Sequence, residues 1–340
     1  MKRRVIGTVL FGLGVVLVVL AVGLRFYVAP RATKLPYDLG PSTSVVEAKN
    51  ATFLVVVNST PAIRKGNLQS TTYVQPQPVI TQQEMKGDLE GKAVVWDVYS
   101  KTIDPSDKTL VDASTQEIAL DRSTGEAVAW AGAWENSSGA AKGSETKVKF
   151  QGYQYKLPFN TEKKSYPFWD GTLTKTLPME FKSEGTYEGL NAYTFVQVVP
   201  LQAAPLDETN ATVLKAVFGE NKDGGKLFYG NTRTLIVEPT TGQFLSVREQ
   251  RRIEYRGGNG KTTVLLDADF HYSDETTKNT VDGVNKNLFQ LKLVSLYLPI
   301  AGGVIGLVLI IAGLSMASRG SGRREDEYSP DAPVRHSIDA

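Results

Sequence analysis

Cysteine is absent from the 340 residues. Disulfides, thiolate nucleophiles and Cys-based metal sites are excluded together. A eukaryotic secreted domain of this size ordinarily carries disulfides. Their absence points to a bacterial envelope protein that relies on an extensive β core. The N-x-S/T sequons at Asn50, Asn58, Asn136 and Asn210 then read as chance matches. Histidine is scarce, with only His271 and His336. His336 lies in a polar tail, so any Ser-His-Asp triad must use His271. H-E-x-x-H, P-loop, G-x-G-x-x-G and G-x-S-x-G patterns are all missing. Charge of one sign is missing too: 38 Lys+Arg stand against 36 Asp+Glu, which gives no support for a nucleic-acid partner. No cofactor and no metal are expected, and the chain reads as a non-enzyme.

What the chain does have is concentrated at its ends. Residues 5–24 carry no charge and are mostly Val, Leu and Gly. Twenty residues at about 1.5 Å rise match a hydrocarbon core of about 30 Å. A cleaved signal peptide would have a shorter apolar region followed by a small-x-small site. Here Arg25, Phe26 and Tyr27 follow, so the segment reads as an uncleaved anchor. Residues 293–317 form a second charge-free run, with Tyr297 near its start. Gly302 and Gly306 make a G-x-x-x-G match, which alone reads as ordinary membrane glycine.

Positive charge sets the orientation. Lys2, Arg3 and Arg4 precede the first run, and Arg319, Arg323 and Arg324 follow the second. The expected layout is a short cytoplasmic N-terminus (1–4), a transmembrane helix (5–24), an extracytoplasmic domain (29–292), a second transmembrane helix (293–317) and a disordered cytoplasmic tail (318–340). The protein is thus expected to be a two-pass membrane protein with both termini cytoplasmic.

Between the runs, period-two alternation dominates. Ala51–Val57, Ala93–Tyr99, Glu117–Leu120, Ala127–Trp130, Tyr193–Val199, Arg233–Val237, Phe244–Arg248, Ile253–Tyr255 and Thr262–Phe270 read as strands. Val213–Phe218 reads as a short helix, and a longer helix is expected to lead into the second span from about Val281. A repeat is visible. Leu120-Asp121-Arg122-Ser123-Thr124-Gly125-Glu126-Ala127-Val128 parallels Val237-Glu238-Pro239-Thr240-Thr241-Gly242-Gln243-Phe244-Leu245. Each has a strand upstream, around Trp96 and Phe195. The expected fold is mainly β: two related β-meander subdomains (45–150 and 151–280) with a few short helices, packed as two bodies or as one extended sheet.

Residues 155–170 put Tyr155, Phe159, Tyr166, Phe168 and Trp169 within a short span, with Pro158 and Pro167 fixing φ. Two readings stand. The aromatics fill a seam between the halves, or they line a lipid- or sugar-binding site, since aromatic faces suit both ligands. The run Leu157-Pro158-Phe159 through Thr161 to Tyr166-Pro167-Phe168-Trp169-Asp170, with the flanking spans, resembles the actinobacterial DUF3068 family, also called the porin PorA family. The resemblance covers nearly the whole chain. It implies an actinobacterial envelope protein, in a family where some relatives are associated with glycolipid traffic and envelope growth. A spanning barrel needs lipid-facing alternation over closed strands, whereas this chain already has two helical anchors.

The expected partners are the lipid bilayer, a lipid or glycolipid ligand and envelope-assembly proteins. The expected role is binding or relaying that lipid; the alternative is a scaffold that recruits envelope-growth partners. Asp267, Asp269 and His271 alternate along one strand and share a face, a set that could hold a divalent metal. A strand with one wet face gives the same pattern, and that is the preferred reading. Asp104 and Asp107 fall in a polar turn, and Arg248 to Arg252 reads as a solvated face.

Overall fold

The computed structural model describes residues 2–57, 60–137, 145–206, 211, 214, 217, 218 and 225–318, with Lys2 and Arg3 described by backbone alone. It divides into two compact units: Met1–Ala32 with Leu291–Ala340, and Thr33–Gln290. Residues 319–340 of the expected tail, and 213, 215 and 216 of the expected helix Val213–Phe218, lie outside the described residues.

The larger unit is built on one antiparallel twelve-stranded sheet. Its strands are β1 (Ser42–Val57), β2 (Thr60–Pro76), β3 (Ala93–Ile103), β4 (Leu110–Asp121), β5 (Trp134–Ser137), β6 (Thr146–Lys147), β7 (Tyr166–Asp170), β8 (Lys175–Tyr187), β9 (Leu190–Ala203), β10 (Lys226–Val237), β11 (Phe244–Arg256) and β12 (Thr262–Tyr272). Their order is β6-β5-β4-β3-β2-β1-β12-β11-β10-β9-β8-β7. Each half is a six-strand meander, and the second follows the order of the first. The seam is β1 against β12, with Val46 opposite Tyr272.

The repeated turns match bond for bond. The Asp121 carboxylate accepts from the Ser123 and Thr124 amides at 2.8 Å each, and the Glu238 carboxylate accepts from the Thr240 and Thr241 amides at 2.9 and 2.7 Å. The Thr124 and Thr241 hydroxyls donate to the same two carboxylates. The Gly125 and Gly242 amides then donate back to the Asp121 and Glu238 carbonyls, at 2.8 and 2.9 Å. Both glycines have positive φ, 80° and 72°, a conformation costly for any side chain.

Two expected strands change. Ala127–Trp130 makes only an isolated bridge, Leu120 to Ala127: the Val128 amide donates to the Ala119 carbonyl, but the Ala127 amide goes to Gly152 instead of β4. Phe244–Arg248 and Ile253–Tyr255 are one continuous strand, since the polar run between them alternates faces rather than turning. Strands β2, β5, β6, β7 and β8 were absent from the sequence reading.

Each meander carries a helical cover. The first helix of this unit, α2 (Pro78–Glu84), and the residues after it bring Ile80, Met85 and Leu89 onto Ala93, Val95 and Ala119. The helix α3 (Asp274–Lys292) lays Val281, Val284 and Leu288 on Leu190, Ala192 and Leu245. It starts earlier than Val281 because Asp274 and Glu275 suit a helix N-terminus.

The smaller unit is a helical hairpin of α1 (Lys2–Gly23) and α4 (Leu298–Ser318). The helical runs Arg4–Arg31 and Asp274–Ser318 are long and apolar enough to cross a membrane. Their most apolar windows are only 17% and 6% buried, unlike a core helix. Glycines set the contact. A Cβ on Gly14 would stand 2.6 Å from the Gly306 carbonyl oxygen, and one on Gly313 would stand 2.6 Å from that of Gly7. Close backbone approach of this kind is how helices associate in lipid. Gly302 meets the Ala21 Cβ only at ordinary van der Waals distance, 3.5 Å. The working spacing is therefore seven residues, Gly7 to Gly14 and Gly306 to Gly313, rather than the four of G-x-x-x-G.

Candidate functional site

The connection between the two meanders threads past both repeated turns. The Leu157 amide donates to the Gly242 carbonyl at 2.9 Å, and the Asn160 and Thr161 amides donate to those of Thr240 and Pro239. On the other side, the Ala127 amide donates to the Gly152 carbonyl at 2.8 Å. Lys156 fills the hollow over Gly125, where a Cβ would meet its Cγ at 2.7 Å. The segment then runs beside β7: the Tyr153 amide donates to the Pro167 carbonyl, and the Trp169 amide to that of Tyr153.

This threading distributes the five singled-out aromatics. Tyr166 and Phe168 are buried in the core of the second meander with Tyr153, Phe195, Leu235 and Val237. Tyr166 packs edge-on to Tyr153 and Phe195, at 5.4 and 5.8 Å between ring centres. Trp169, on the other face of β7, belongs to the first meander's core and packs edge-on to Phe150. Half-buried Tyr155 joins that same core against Trp96. Phe159 is half-buried, with the Lys156 Nζ 3.9 Å from its ring centre.

Two of the five, Phe159 and Tyr166, meet in an open cleft of about 340 Å³. Tyr153, Thr124, Glu126, Asn160 and Lys164 are among its other walls. Tyr155, Phe168 and Trp169 are not. The cleft thus brings the half-buried Phe159 ring, the exposed margins of Tyr153 and Tyr166, two carboxylates (Glu126 and Glu162), an amide and an ammonium into one concavity. Sequence reading missed Tyr153, Lys156 and Glu126. Lys156 lies inside the aromatic stretch 155–170, but nothing in its neighbours announces that it is 95% covered. Its Nζ donates to the Leu157 carbonyl at 2.7 Å. Burial lowers its pKa to about 7, partly offset by Asp121. Burial likewise pushes the Tyr153 and Tyr155 hydroxyls up.

A second polar cluster lies along β9, β10 and β11. Buried Asp170 accepts from the Tyr229 hydroxyl at 2.9 Å. Arg233 bonds Glu249 and Gln197, and Gln197 donates to the Phe168 and Leu177 carbonyls. Arg233 holds the Glu249 carboxyl below its usual range against the opposing effect of burial. The network anchors β7 to the sheet through Asp170 and Phe168, a positioning role for the aromatic segment.

The other sequence candidates fall into structural pairs. Asp267, Asp269 and His271 do share the wet face of β12, with Ala268 and Phe270 buried behind. Asp269 takes a bidentate pair from Arg248 at 2.9 and 2.6 Å, and Asp267 takes Arg252 at 2.6 Å. Among the described residues no group of three or more His, Cys, Asp or Glu is placed to hold a metal. In the run Arg248 to Arg252, Glu249 turns to the opposite face and joins the Arg233 network. Asp104 and Asp107 cap the β3–β4 turn and pair with Arg64 at 3.5 and 2.7 Å.

A protein-family model described as Porin PorA matches residues 6–315. A Porin PorA from Corynebacterium resistens is 24% identical in an alignment that covers 97% of this chain and all of the relative. A Porin PorA from Corynebacterium amycolatum is 24% identical over 74% of this chain and 78% of the relative. With the family model spanning both helices and the whole sheet, this chain belongs to the Porin PorA family.

Proposed function

We propose that this is a non-enzymatic cell-envelope protein that binds or relays a lipid or glycolipid. It is anchored by two spans, with both termini cytoplasmic and residues 29–292 extracytoplasmic. The observation that carries the reading is the cleft that sets the Phe159 ring and the margins of Tyr153 and Tyr166 beside Glu126, Asn160 and Lys164. Apolar rings suit acyl or sugar C–H surfaces, and the polar groups suit a headgroup. The relatives' name describes pores. A strand-built pore needs an apolar outer band about 25 Å tall. The exposed face of β11 and β12 instead carries Arg248, Arg252, Asp267 and Asp269, which favours a domain outside the lipid.

The test is mass spectrometry of lipid extracted with the purified full-length protein. The wild type is expected to carry a stoichiometric lipid, and a Phe159→Ala, Lys164→Gln double variant to lose most of it while keeping its fold. Lipid-free wild type, or equal retention by the variant, ends the reading.

A scaffold role is favoured by a different feature. Strand β2 pairs with β3 only from Gln69 onward, so its stretch from Thr60 to Leu68 has no strand on its outer edge among the described residues. Exposed Val56 and Ile63 accompany that edge. A free edge can accept a partner strand. Crosslinking from Ile63→Cys that recovers one specific envelope protein supports this second reading.

A further inference from the structure

Each charge-free helical stretch ends, at one rim of the hairpin, in a single π-helical turn. These are Leu24–Val28 after α1 and Leu293–Tyr297 before α4, and the two turns pack side by side. The register set by Gly7 with Gly313 and Gly14 with Gly306 puts them at one level. A π turn widens the backbone and frees a carbonyl; such turns recur at functional sites. Here the Ser295 hydroxyl donates to the Leu291 carbonyl at 2.6 Å.

The side chains at this rim have one character. Phe26, Tyr27 and Tyr297 are 75%, 61% and 50% exposed. Arg25, Arg31 and Lys292 are exposed among them. The Arg31 guanidinium is held 3.5 Å over the Tyr27 ring and donates to the Tyr27 carbonyl at 2.7 Å, so its direction is preset. Neither 1–32 nor 291–318 contains an Asp or Glu. Among its described residues this unit therefore has three cations at the rim and no acid to neutralise them. At the other end of α1, Lys2, Arg3 and Arg4 have no aromatic residue within six positions along the chain.

We infer that Arg25, Arg31 and Lys292, with Phe26, Tyr27 and Tyr297 between them, form a binding surface for the headgroup phosphate of an anionic membrane lipid. Aromatic rings favour the headgroup level, and each cation near the surface adds attraction for an anionic headgroup. Guanidinium groups suit phosphate by geometry as well as charge. The inference rests on the two helices spanning the membrane, as proposed above.

The test uses the full chain in neutral detergent, offered equal phosphatidylglycerol and phosphatidylcholine and read by native mass spectrometry. Wild type is expected to retain phosphatidylglycerol at about tenfold preference. An Arg25→Gln, Arg31→Gln, Lys292→Gln variant is expected to fall to near parity. Neutralising Lys2, Arg3 and Arg4 to Gln is expected to leave the preference in place. Preference lost with Lys2, Arg3 and Arg4 instead, no preference in wild type, or displacement by millimolar inorganic phosphate each overturns the inference. Circular dichroism checks that the variants fold. Topology is read apart, by labelling Phe26→Cys on intact cells with a membrane-impermeant maleimide, which the cysteine-free background makes clean. Labelling without lipid preference sinks this site alone. Lipid preference without labelling sinks the proposed orientation, with both termini cytoplasmic, and leaves the site standing.

Discussion

The Nζ of Lys156 stands 3.9 Å from the centre of the Phe159 ring and 2.7 Å from the Leu157 carbonyl oxygen. One side chain thus ties the wall of the cleft to the connection between the meanders. Its pKa is lowered to about 7, so the folded chain binds fewer protons here than the unfolded chain between pH 7 and the ordinary lysine value. The sign follows: stability from this group rises with pH across that window. Urea midpoints taken from pH 7 to 10 should rise for wild type and lose that slope in Lys156→Met. A parallel slope in the variant would assign it to another group.

The two repeated turns make opposite demands on their surroundings. A Cβ on Gly242 would stand 1.9 Å from the Leu157 carbonyl oxygen, which is backbone. On Gly125 the obstacle is the Lys156 Cγ at 2.7 Å, a side-chain carbon that can shift where backbone cannot, at the expense of the buried Nζ contact to Leu157. Both substitutions to Ala also oppose a positive φ, at about 1 kcal/mol. Gly242→Ala should therefore cost on the order of 3 kcal/mol or more and Gly125→Ala about 1–2. Thermal melts of the two variants rank them, and equal losses would refute the argument.

Asp97 and Glu117 are directly paired across β3 and β4, and both carboxyls are raised, chiefly by burial. Their neighbours are Gln77, which donates to Asp97 at 2.6 Å, and Trp134, which donates to Glu117 at 3.1 Å. A raised acid binds more protons in the folded state, so this pair's contribution falls as pH rises through its titration. The stability difference between Glu117→Gln and wild type should therefore grow in the variant's favour from pH 4 to pH 7. A constant difference would show that Glu117 is not raised in the folded protein.

The helical hairpin depends on Gly14 and Gly306, where a Cβ would sit 2.6 and 2.8 Å from the facing carbonyl oxygen. Gly303 faces open space. Gly14→Leu and Gly306→Leu should lower the melting temperature in mild detergent, while Gly303→Leu should leave it within a degree or two. Sensitivity at Gly303 equal to that at Gly306 would mean the contact is elsewhere.

Much of this was legible because the physics was local. Charge-free runs of bilayer length announce α1 and α4 without reference to any partner. The Thr124-Gly125 and Thr241-Gly242 turns repeat because an acidic residue, a Thr and a Gly suffice to build the bond pattern within six residues. Strand β2 was hidden because Arg64, Lys65, Gly66 and Asn67 break alternation, and it is held by its β1 neighbour instead. Strand β8 was hidden for a similar reason, with Lys175, Pro178, Lys182 and Gly185 in its span. The split of the aromatic segment between two cores was illegible too. It depends on Tyr153 pairing with β7, and no spacing in the sequence encodes that parallel bridge.

The seam of the sheet joins residues far apart in the chain: the Val45 amide donates to the Thr276 hydroxyl, 231 positions away. A ribosome must release almost all of the larger unit before β1 can meet the strand that covers its inner edge. Until then the first meander is an unfinished sheet with a bare margin, slow to complete and open to mispairing. Biogenesis of this protein therefore has a waiting period, set by topology rather than by any single weak contact.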